Sequence, residues 1–207
     1  MIEIEYIKFA FNMNSENGYL VWDSNEAIVI DPGSAKEVYQ IKDKLEELEL
    51  ELKYIINTHS HFDHIGGNQF LKNNFNVKLG ISKKESENLI DPEKNLSRYM
   101  GTRIKSPKAD FYFESTDDLH FGNDKLEIIY CPGHSQGSIA LYSDKDDLLF
   151  SGDTIFKNGV GRTDLPGGNK DELIKSINKL VELPDKTIVL PGHGPETTIK
   201  DFKEYYF

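Results

Sequence analysis

The 207 residues of the chain suffice for a substantial hydrophobic core, and we expect a single domain spanning residues 1–207. The net charge of −11 argues against a nucleic-acid partner, because nucleic-acid phosphates are bound by surfaces rich in lysine and arginine. No apolar run approaches the roughly 20 residues of a membrane helix, the first residues do not form a signal peptide, and one cysteine cannot form an internal disulfide. We therefore expect a cytoplasmic protein without a membrane partner.

The first half of the chain is predicted to form strands around one helix, with another helix from about His64 onward. Alternating apolar and acidic residues favour a strand over residues 2–6, and apolar segments favour strands at 18–22, 27–30 and 54–56. Before the last of these, apolar residues recur at steps of three and four, which is the period of an amphipathic helix. The buried face of that helix would carry Val38, Ile41, Leu45, Leu48 and Leu52.

The second half is predicted to mix short strands with one further helix. The polar segment 82–106 is expected to be part helix and part loop, and strands are predicted at 111–113, 124–130, 139–142, 148–150 and 187–190. Asn169 is placed to cap a helix, and Glu172 would complete a capping-box pair. The buried face of this helix would carry Leu173, Ile177, Leu180 and Val181. Mixed strands and helices predict a layered α/β fold.

Seven polar residues come just after predicted strands. A cluster follows the strand at 54–56, and single residues follow three later strands: His59, His61, Asp63 and His64, then His134, Asp153 and His193. The carboxyl ends of strands are the usual ligand-binding edge of such sheets. Histidine and aspartate are common ligands of zinc and neighbouring transition metals. The set therefore predicts a centre for two metals at one edge of the fold.

The spacing within the cluster favours shared ligation. His59, His61 and Asp63 are two residues apart, so their side chains point to one side of an extended segment. His59 and His61 can therefore share a metal, whereas the adjacent Asp63 and His64 require a turn of the chain. A lone histidine is more often a hydrogen-bonded core or surface residue than a ligand. Here, however, five of the six histidines belong to the set.

The same residues carry a resemblance to a known family. The string Thr58-His59-Ser60-His61-Phe62-Asp63-His64 resembles the defining motif of the metallo-β-lactamase-fold hydrolases. The later motifs follow in order, as Pro132-Gly133-His134, Ser151-Gly152-Asp153 and Pro191-Gly192-His193-Gly194, and Asp31-Pro32-Gly33 matches the early aspartate motif. Within that superfamily the chain is most similar to the short bacterial members of the glyoxalase II-like branch of hydroxyacylglutathione hydrolases. The resemblance implies an αββα sandwich with the site along one edge of its two sheets.

The resemblance also implies a ligand assignment and two divalent metal ions. One metal would be held by His59, His61 and His134, and the other by Asp63, His64 and His193. Asp153 would bridge the two ions, while Asp31 would hold the ligand loop in place without binding metal. Zinc is the expected metal, and iron and manganese are alternatives that the same ligands suit.

The implied reaction is the hydrolysis of a small-molecule thioester such as S-lactoylglutathione. A hydroxide bridging two metals would attack the thioester carbonyl, with Asp63 orienting the hydroxide and shuttling its proton. One alternative is a persulfide dioxygenase of the same fold, with a single iron on His59, His134 and Asp153. A further alternative is a non-catalytic metal-dependent binding protein.

Three features depart from the family pattern or leave alternatives open. Only 14 of the 207 residues follow His193, so we expect no C-terminal helical domain of the kind that completes the glutathione pocket in full-length relatives. Arg162 lies where the family has a basic residue that contacts the glutathione end of the substrate, and a surface arginine is the alternative. Cys131 stands where many relatives have threonine, and it is either a small buried residue or a reactive thiolate.

Overall fold

The computed structural model describes residues 4–11, 15–114 and 117–207, in which two six-stranded sheets pack together. Residues 2 and 3 of the predicted first strand lie outside the described residues. The strands of the first sheet lie in chain order: β1 (Glu5–Ala10), β2 (Asn17–Asp23), β3 (Glu26–Ile30), β4 (Glu51–Ile56), β5 (Lys78–Ser82) and β6 (Phe111–Phe113). Strands β1 to β3 pair antiparallel, and β3 to β6 pair parallel.

The second sheet is built from the later strands of the chain. These are β7 (Asp118–Phe121), β8 (Asp124–Tyr130), β9 (Ile139–Ser143) and β10 (Leu148–Gly152), then, after a separate hairpin of β11 (Ile155–Phe156) and β12 (Gly159–Val160), β13 (Ile188–Pro191) and β14 (Thr197–Thr198). The order across the sheet is β14-β13-β10-β9-β8-β7. Strands β10 and β13 pair in parallel, and β9 runs antiparallel to both β8 and β10. Strands β8, β10 and β13 therefore end at the same edge of the sheet.

Helices cover the outer faces of both sheets. They are α1 (Tyr39–Glu47), α2 (Phe62–Ile65), α3 (Asn68–Asn74), α4 (Lys170–Leu180) and α5 (Ile199–Tyr206). The buried faces of α1 and α3 pack on the first sheet, and those of α4 and α5 pack on the second. Side chains such as Ile30 and Ile56 meet Phe150 and Leu190 between the sheets. The four layers confirm the predicted αββα sandwich. Within the described ranges, no helix has both the length and the apolar character needed to cross a bilayer.

The first predicted helix is shorter than its apolar pattern indicated. Helix α1 ends at Glu47, and Glu49 adopts a left-handed backbone conformation with φ of 54°. Leu52 was predicted on the helix but is buried in β4, and Leu48 is 39% exposed. The prediction was wrong at this end, because the apolar spacing continued across a turn into the next strand.

The cap of α4 was predicted correctly in one half only. The Asn169 side chain accepts hydrogen bonds from the backbone N–H groups of Asp171 and Glu172, at 3.0 and 3.1 Å. The reciprocal bond of a capping box does not form, because the Asn169 N–H donates to the Gly133 carbonyl at 2.8 Å. Glu172 instead pairs with Lys175. This cap therefore ties the start of α4 to the loop that carries His134.

Candidate metal centre

Four loops place the seven predicted ligands at one edge of the sandwich. The loops follow β4, β8, β10 and β13, so the first comes from one sheet and the other three come from the second. His61 lies in extended backbone with ψ of 145°, and α2 begins at the next residue. This short helix supplies the turn that brings both Asp63 and His64 inward, where they are buried.

The first group of candidate ligands consists of His59, His61 and His134, which offer ligand atoms within 4.8 Å of one another. His61 Nδ1 and His134 Nε2 are 2.9 Å apart. His134 Nδ1 donates to the Arg162 carbonyl at 2.8 Å, which leaves its Nε2 as the atom with a lone pair. His59 Nδ1 lies 3.0 Å from the Thr58 hydroxyl, and its buried Nε2 has no hydrogen-bond partner within the described residues.

The second group consists of Asp63, His64 and His193, and its ligand atoms also lie within 4.8 Å of one another. His64 Nε2 is 3.3 Å from His193 Nε2, and His193 Nε2 is 3.8 Å from an oxygen of Asp63. His193 is the most accessible of the three, with a side chain that is 24% exposed. Its exposure places it at the entrance of the site.

Asp153 lies between the two groups. One of its oxygens is 3.4 Å from Nε2 of His134 and 3.4 Å from Nε2 of His193. The other oxygen is 3.6 Å from Nε2 of His64 and has no hydrogen-bond partner in the described part of the chain. A carboxylate that faces both groups can bridge two ions.

Asp31 lies beneath the ligand loop and is occupied by hydrogen bonds. One oxygen accepts from the Thr58 N–H at 2.8 Å, and the other accepts from the Thr58 hydroxyl at 2.6 Å and lies 3.0 Å from His64 Nδ1. Although Asp31 also lies within 4.8 Å of ligand atoms of His59 and His64, these bonds use its oxygens. Its contact with Nδ1 orients Nε2 of His64 toward Asp153 and His193.

The charges around the site favour bound cations. Burial lowers the pKa of His59 and of His61 well below the ordinary value, and these rings are therefore neutral, which is the form that binds metal. Burial alone would lower the pKa of His64, but Asp153 and Asp31 outweigh it and raise that pKa well above the usual value. Burial would raise the pKa of Asp153, yet His64 and the neighbouring imidazoles hold it well below its usual range. A divalent cation at Nε2 of His64 would replace the proton there and face the Asp153 carboxylate.

The donor set fits two divalent metal ions. Ligand atoms about 2.0–2.2 Å from a shared ion lie about 3.3–3.6 Å from one another in tetrahedral geometry, and about 2.8–3.1 Å apart at adjacent octahedral positions. The contacts between candidate ligand atoms include 2.9 Å between His61 Nδ1 and His134 Nε2 and 3.8 Å between His193 Nε2 and Asp63, and the atoms of each group lie within 4.8 Å of one another. Nε2 of His59 and one oxygen of Asp153 are buried polar atoms without partners among the described residues, a condition that a bound ion would relieve. The observations support the predicted ligand assignment, which metal analysis must test.

A cavity of about 700 Å³ opens over the two groups, and we call it the metal cavity. His61, Asp63, Asp153 and other candidate ligands form its floor. Its walls are largely apolar and include Phe62, Leu96, Tyr99, Met100, Phe156 and Leu165. The site therefore has room for a ligand beside the protein side chains.

Arg162 lies at the rim of the metal cavity, and its side chain is 61% exposed. Its guanidinium binds both oxygens of Asp164 at 2.7 Å, and this pairing lowers the pKa of Asp164 to about 2. The backbone carbonyl of Arg162 orients His134, as described above. The residue therefore supports a candidate ligand through its backbone and lines the metal cavity with its side chain. Contact of its guanidinium with substrate remains a prediction.

Glu85 belongs to none of the predicted motifs, yet it is a fully buried carboxylate that joins two ligand loops. One of its oxygens accepts from the N–H and the hydroxyl of Ser60, between His59 and His61. The other accepts from the Ser135 hydroxyl and the Gly137 N–H, each at 2.8 Å. Glu85 lies 26 residues after His59, so the sequence carries no local signal for this role.

The start of β2 holds the fourth loop and was also missed. The Asn17 side chain donates to the carbonyls of Pro191 and Gly194 at 2.9 and 2.8 Å, on both sides of His193. The neighbouring Glu16 is fully buried, and one of its oxygens lies 3.7 Å from His64 Nδ1. Burial raises the pKa of Glu16 well above its usual value.

Cys131 is a small buried residue rather than a reactive thiolate. It is inaccessible to solvent, and burial raises the pKa of its thiol to about 12. Its side chain packs with Ala140 and Leu173 on the outer face of the second sheet. Among the described residues it belongs to neither group of candidate ligands, nor to the cluster of Asp31 with His59 and His64.

Comparison with known sequences finds a family and several relatives. The family model described as "Metallo-beta-lactamase superfamily" matches residues 13–193. The "Probable metallo-hydrolase YqgX" of Bacillus subtilis is 37% identical over 185 residues, which cover 88% of this chain and 87% of the relative. The "Hydroxyacylglutathione hydrolase GloC" of Haemophilus influenzae is 36% identical over 189 residues, with 89% and 88% of the two chains covered.

Solved structures show the same similarity. A structure described as BLEG-1 B3 metallo-beta-lactamase superposes with a TM-score of 0.91 and 33% identity, covering 98% of this chain and 100% of that one. A structure of TTHA1623 in a di-iron-bound form superposes with a TM-score of 0.84 and 32% identity, covering 94% and 95%.

Proposed function

The chain belongs to the metallo-beta-lactamase superfamily and is a metallo-hydrolase, and we propose that its substrates are thioesters such as S-lactoylglutathione. The observation that carries the proposal is the convergence of all seven ligand candidates, in two groups that both face Asp153. A relative that covers most of the chain is named a hydroxyacylglutathione hydrolase. A purely structural metal site would be closed by its protein ligands, whereas this one lies under a cavity of about 700 Å³.

The first group and the second group would each hold one divalent ion, with Asp153 shared between them. Bound there, two ions would lower the pKa of a water to about 7 and polarise the substrate carbonyl. We favour zinc, since imidazole and carboxylate ligands suit it, with iron and manganese as alternatives. The di-iron form of the structural relative supports two ions without deciding which metal this chain uses.

Asp63 is the residue to which we assign the proton transfer. It lines the metal cavity, and its carboxylate lies 3.8 Å from His193 Nε2. A carboxylate in that position can orient the attacking water and accept its proton. The C–S bond then breaks with its electron pair on sulfur. The products are a carboxylic acid and a thiol, and Asp63 can return the proton to the thiolate. A thiolate leaves without strong acid assistance, because thiols have a pKa of about 8.5.

The surroundings of the site agree with a small-molecule substrate. The net charge of −11 is unfavourable for nucleic acid, and the walls of the metal cavity are mostly apolar. We propose that Arg162, at the rim, contacts the thiol end of the substrate after exchanging Asp164 for a substrate anion. The one thiol of the chain is buried, and we propose that the protein acts in the cytoplasm.

The decisive experiment combines metal analysis of the purified chain with three activity assays. We expect about two ions per chain and cleavage of S-lactoylglutathione. One iron per chain with persulfide-dependent oxygen uptake would replace the proposal with a dioxygenase. Cleavage of a β-lactam without cleavage of any thioester would move the activity toward that of the lactamase to which the fold is similar. Two bound ions with no hydrolysis in any assay would favour a binding protein.

A variant of Asp63 tests the assigned role. Asp63→Ala should lower kcat by about 10²–10⁴, the usual range for loss of a positioned proton acceptor, and should reduce the metal content to about one ion. Asp43 lies exposed on α1, and Asp43→Ala is the matched control that should keep activity and both ions. Retention of both ions and of activity in Asp63→Ala would exclude the assignment.

A further inference from the structure

A second cavity lies beside the metal cavity and shares His61 and Pro166 with it. Its volume is about 460 Å³, and we call it the basic cavity. Unlike the largely apolar metal cavity, it is lined by charged and polar side chains: Lys83, Lys84, Lys94, Ser86, Asn88 and Gln136. Its inner wall includes Ser60, so it reaches the loop that carries the candidate ligands.

Two lysines of the basic cavity have no salt bridge within the described residues. Lys83 and Lys84 are exposed, and Lys84 acts only through a longer-range charge effect on Glu172. Lys94 pairs with Glu87 at 3.1 Å. The remaining acidic group of the lining, Glu85, is buried and directed to the serines and backbone of the ligand loops. The cavity therefore presents two cations whose charge is available to a ligand.

The charge of this region is opposite to that of the whole chain. Residues 83–108 contain seven Lys and Arg against four Asp and Glu, a local net charge of +3, whereas the chain carries −11. The same segment also supplies Leu96, Tyr99 and Met100 to the wall of the metal cavity. One continuous segment thus contacts both cavities, with its apolar side chains beside the ligands and its lysines beside the second opening.

From this placement we propose that the basic cavity binds an anionic group at the far end of the thiol carrier. This inference rests on the proposed thioester hydrolysis. A thioester bound with its carbonyl over the two groups of ligands has an acyl side and a carrier side. The apolar metal cavity suits the reacting part, and the cavity joined to it at His61 suits a charged extension. Carboxylates of a peptide thiol and phosphates of a nucleotide thiol carry the same charge, so both are candidate ligands.

The test uses a double variant, Lys83→Gln with Lys84→Gln, and three thioesters. S-lactoylglutathione carries carboxylates, acetyl-CoA carries phosphates, and S-acetyl-N-acetylcysteamine is uncharged. Each exposed ion pair is worth about threefold in affinity, so the double variant should raise KM for an anionic substrate about tenfold. The increase should be confined to KM and should shrink at high ionic strength. The ratio of kcat/KM between anionic and uncharged substrates should fall by the same factor. Lys200→Gln, on the exposed face of α5, is the matched control.

The outcomes separate the cavity from the reaction. A KM increase with S-lactoylglutathione alone identifies a carboxylate carrier, and an increase with acetyl-CoA alone identifies a phosphate carrier. An unchanged ratio between anionic and uncharged substrates overturns the basic cavity while leaving thioester hydrolysis intact. If the unmodified protein cleaves no thioester, the proposed function fails. Calorimetric binding of S-methylglutathione and CoA then decides the cavity by itself. Weaker binding to the double variant supports it, and equal binding overturns it.

Discussion

Glu85 connects the loops that carry the first group of ligands. A neutral side chain cannot make all the hydrogen bonds that its two oxygens accept. Its partners in the described residues are all donors: the N–H and hydroxyl of Ser60, the Ser135 hydroxyl, the Gly137 N–H and the Asn88 amide. A glutamine in its place would keep one acceptor oxygen, but its NH₂ group would face other donors and lose the hydrogen bonds on that side. The carboxylate therefore fixes the spacing between the loop of His59 and His61 and the loop of His134. Mutation of residues that hold metal ligands in place commonly lowers metal affinity by about 10- to 100-fold.

We expect Glu85→Gln to weaken metal binding at the first group by about 10- to 100-fold and to leave the second group less affected. Cobalt substitution followed by titration with a chelator measures the two affinities, and the visible spectrum reports the geometry at each ion. Glu127→Gln, an exposed change on β8, should bind both ions normally. If Glu85→Gln lowered stability but left both affinities and the spectrum unaltered, its role would be structural only.

Cys131 gives a prediction about pH. Burial raises its pKa to about 12, whereas an unfolded cysteine has a pKa of about 8.5. The folded state therefore holds the proton more tightly. The resulting stability is complete below about pH 8.5 and is lost as pH rises through 12, at up to about 1.4 kcal/mol per pH unit. Urea unfolding at pH 8 and pH 10 should show a smaller loss of stability for Cys131→Ala than for the unmodified chain. An equal loss in both proteins would contradict a buried thiol.

At the scale of elements, the cap of α4 links helix stability to the loop of His134. The Asn169 side chain accepts hydrogen bonds from two backbone N–H groups, while the backbone N–H of Asn169 donates to the Gly133 carbonyl. Asn169→Ala removes the two side-chain bonds and should lower the free energy of unfolding by about 1 kcal/mol. Asn169→Asp keeps an acceptor and should recover most of that loss. Urea unfolding measures both variants. Equal stability of Asn169→Ala and the unmodified chain would show that the cap contributes nothing.

The elements that sequence predicted are those with a local pattern. The strands before each ligand were predicted because a buried apolar run stops where polar residues begin. Strand β4 ends in this way at Ile56, and β13 ends at Pro191. Strands β5, β7, β11, β12 and β14 and helix α5 were missed. Strand β5 contains Gly80, which lies against the ring of Phe111 on the neighbouring strand, a contact that no local pattern reveals. Similarly, the ligands formed a readable motif, whereas Glu85 and Asn17 act on residues far along the chain.

At the scale of the whole molecule, each proposed ion joins the two sheets. The first group combines His59 and His61, after β4, with His134, after β8. The second combines Asp63 and His64 with His193, after β13. An ion that binds these groups only when both sheets are in place stabilises the folded state by mass action. Metal binding and the packing of the sandwich should therefore be coupled.

The coupling predicts a fall in Tm on metal removal. At a metal concentration 100 times Kd, one ion contributes about 2.7 kcal/mol. A chain of this size shifts its Tm by about 2–4 °C per kcal/mol. Chelation of both ions, about 5.4 kcal/mol in all, should therefore lower Tm by about 11–22 °C, as measured by calorimetry. Asn169→Ala keeps all ligands and should show the same shift from a lower starting Tm, whereas Asp63→Ala should show a smaller shift. If a protein with two bound ions kept the same Tm after chelation, the prediction would be contradicted. Each sheet would then fold around its own ligands. It would then follow that the two halves of the sandwich are held by their apolar core alone.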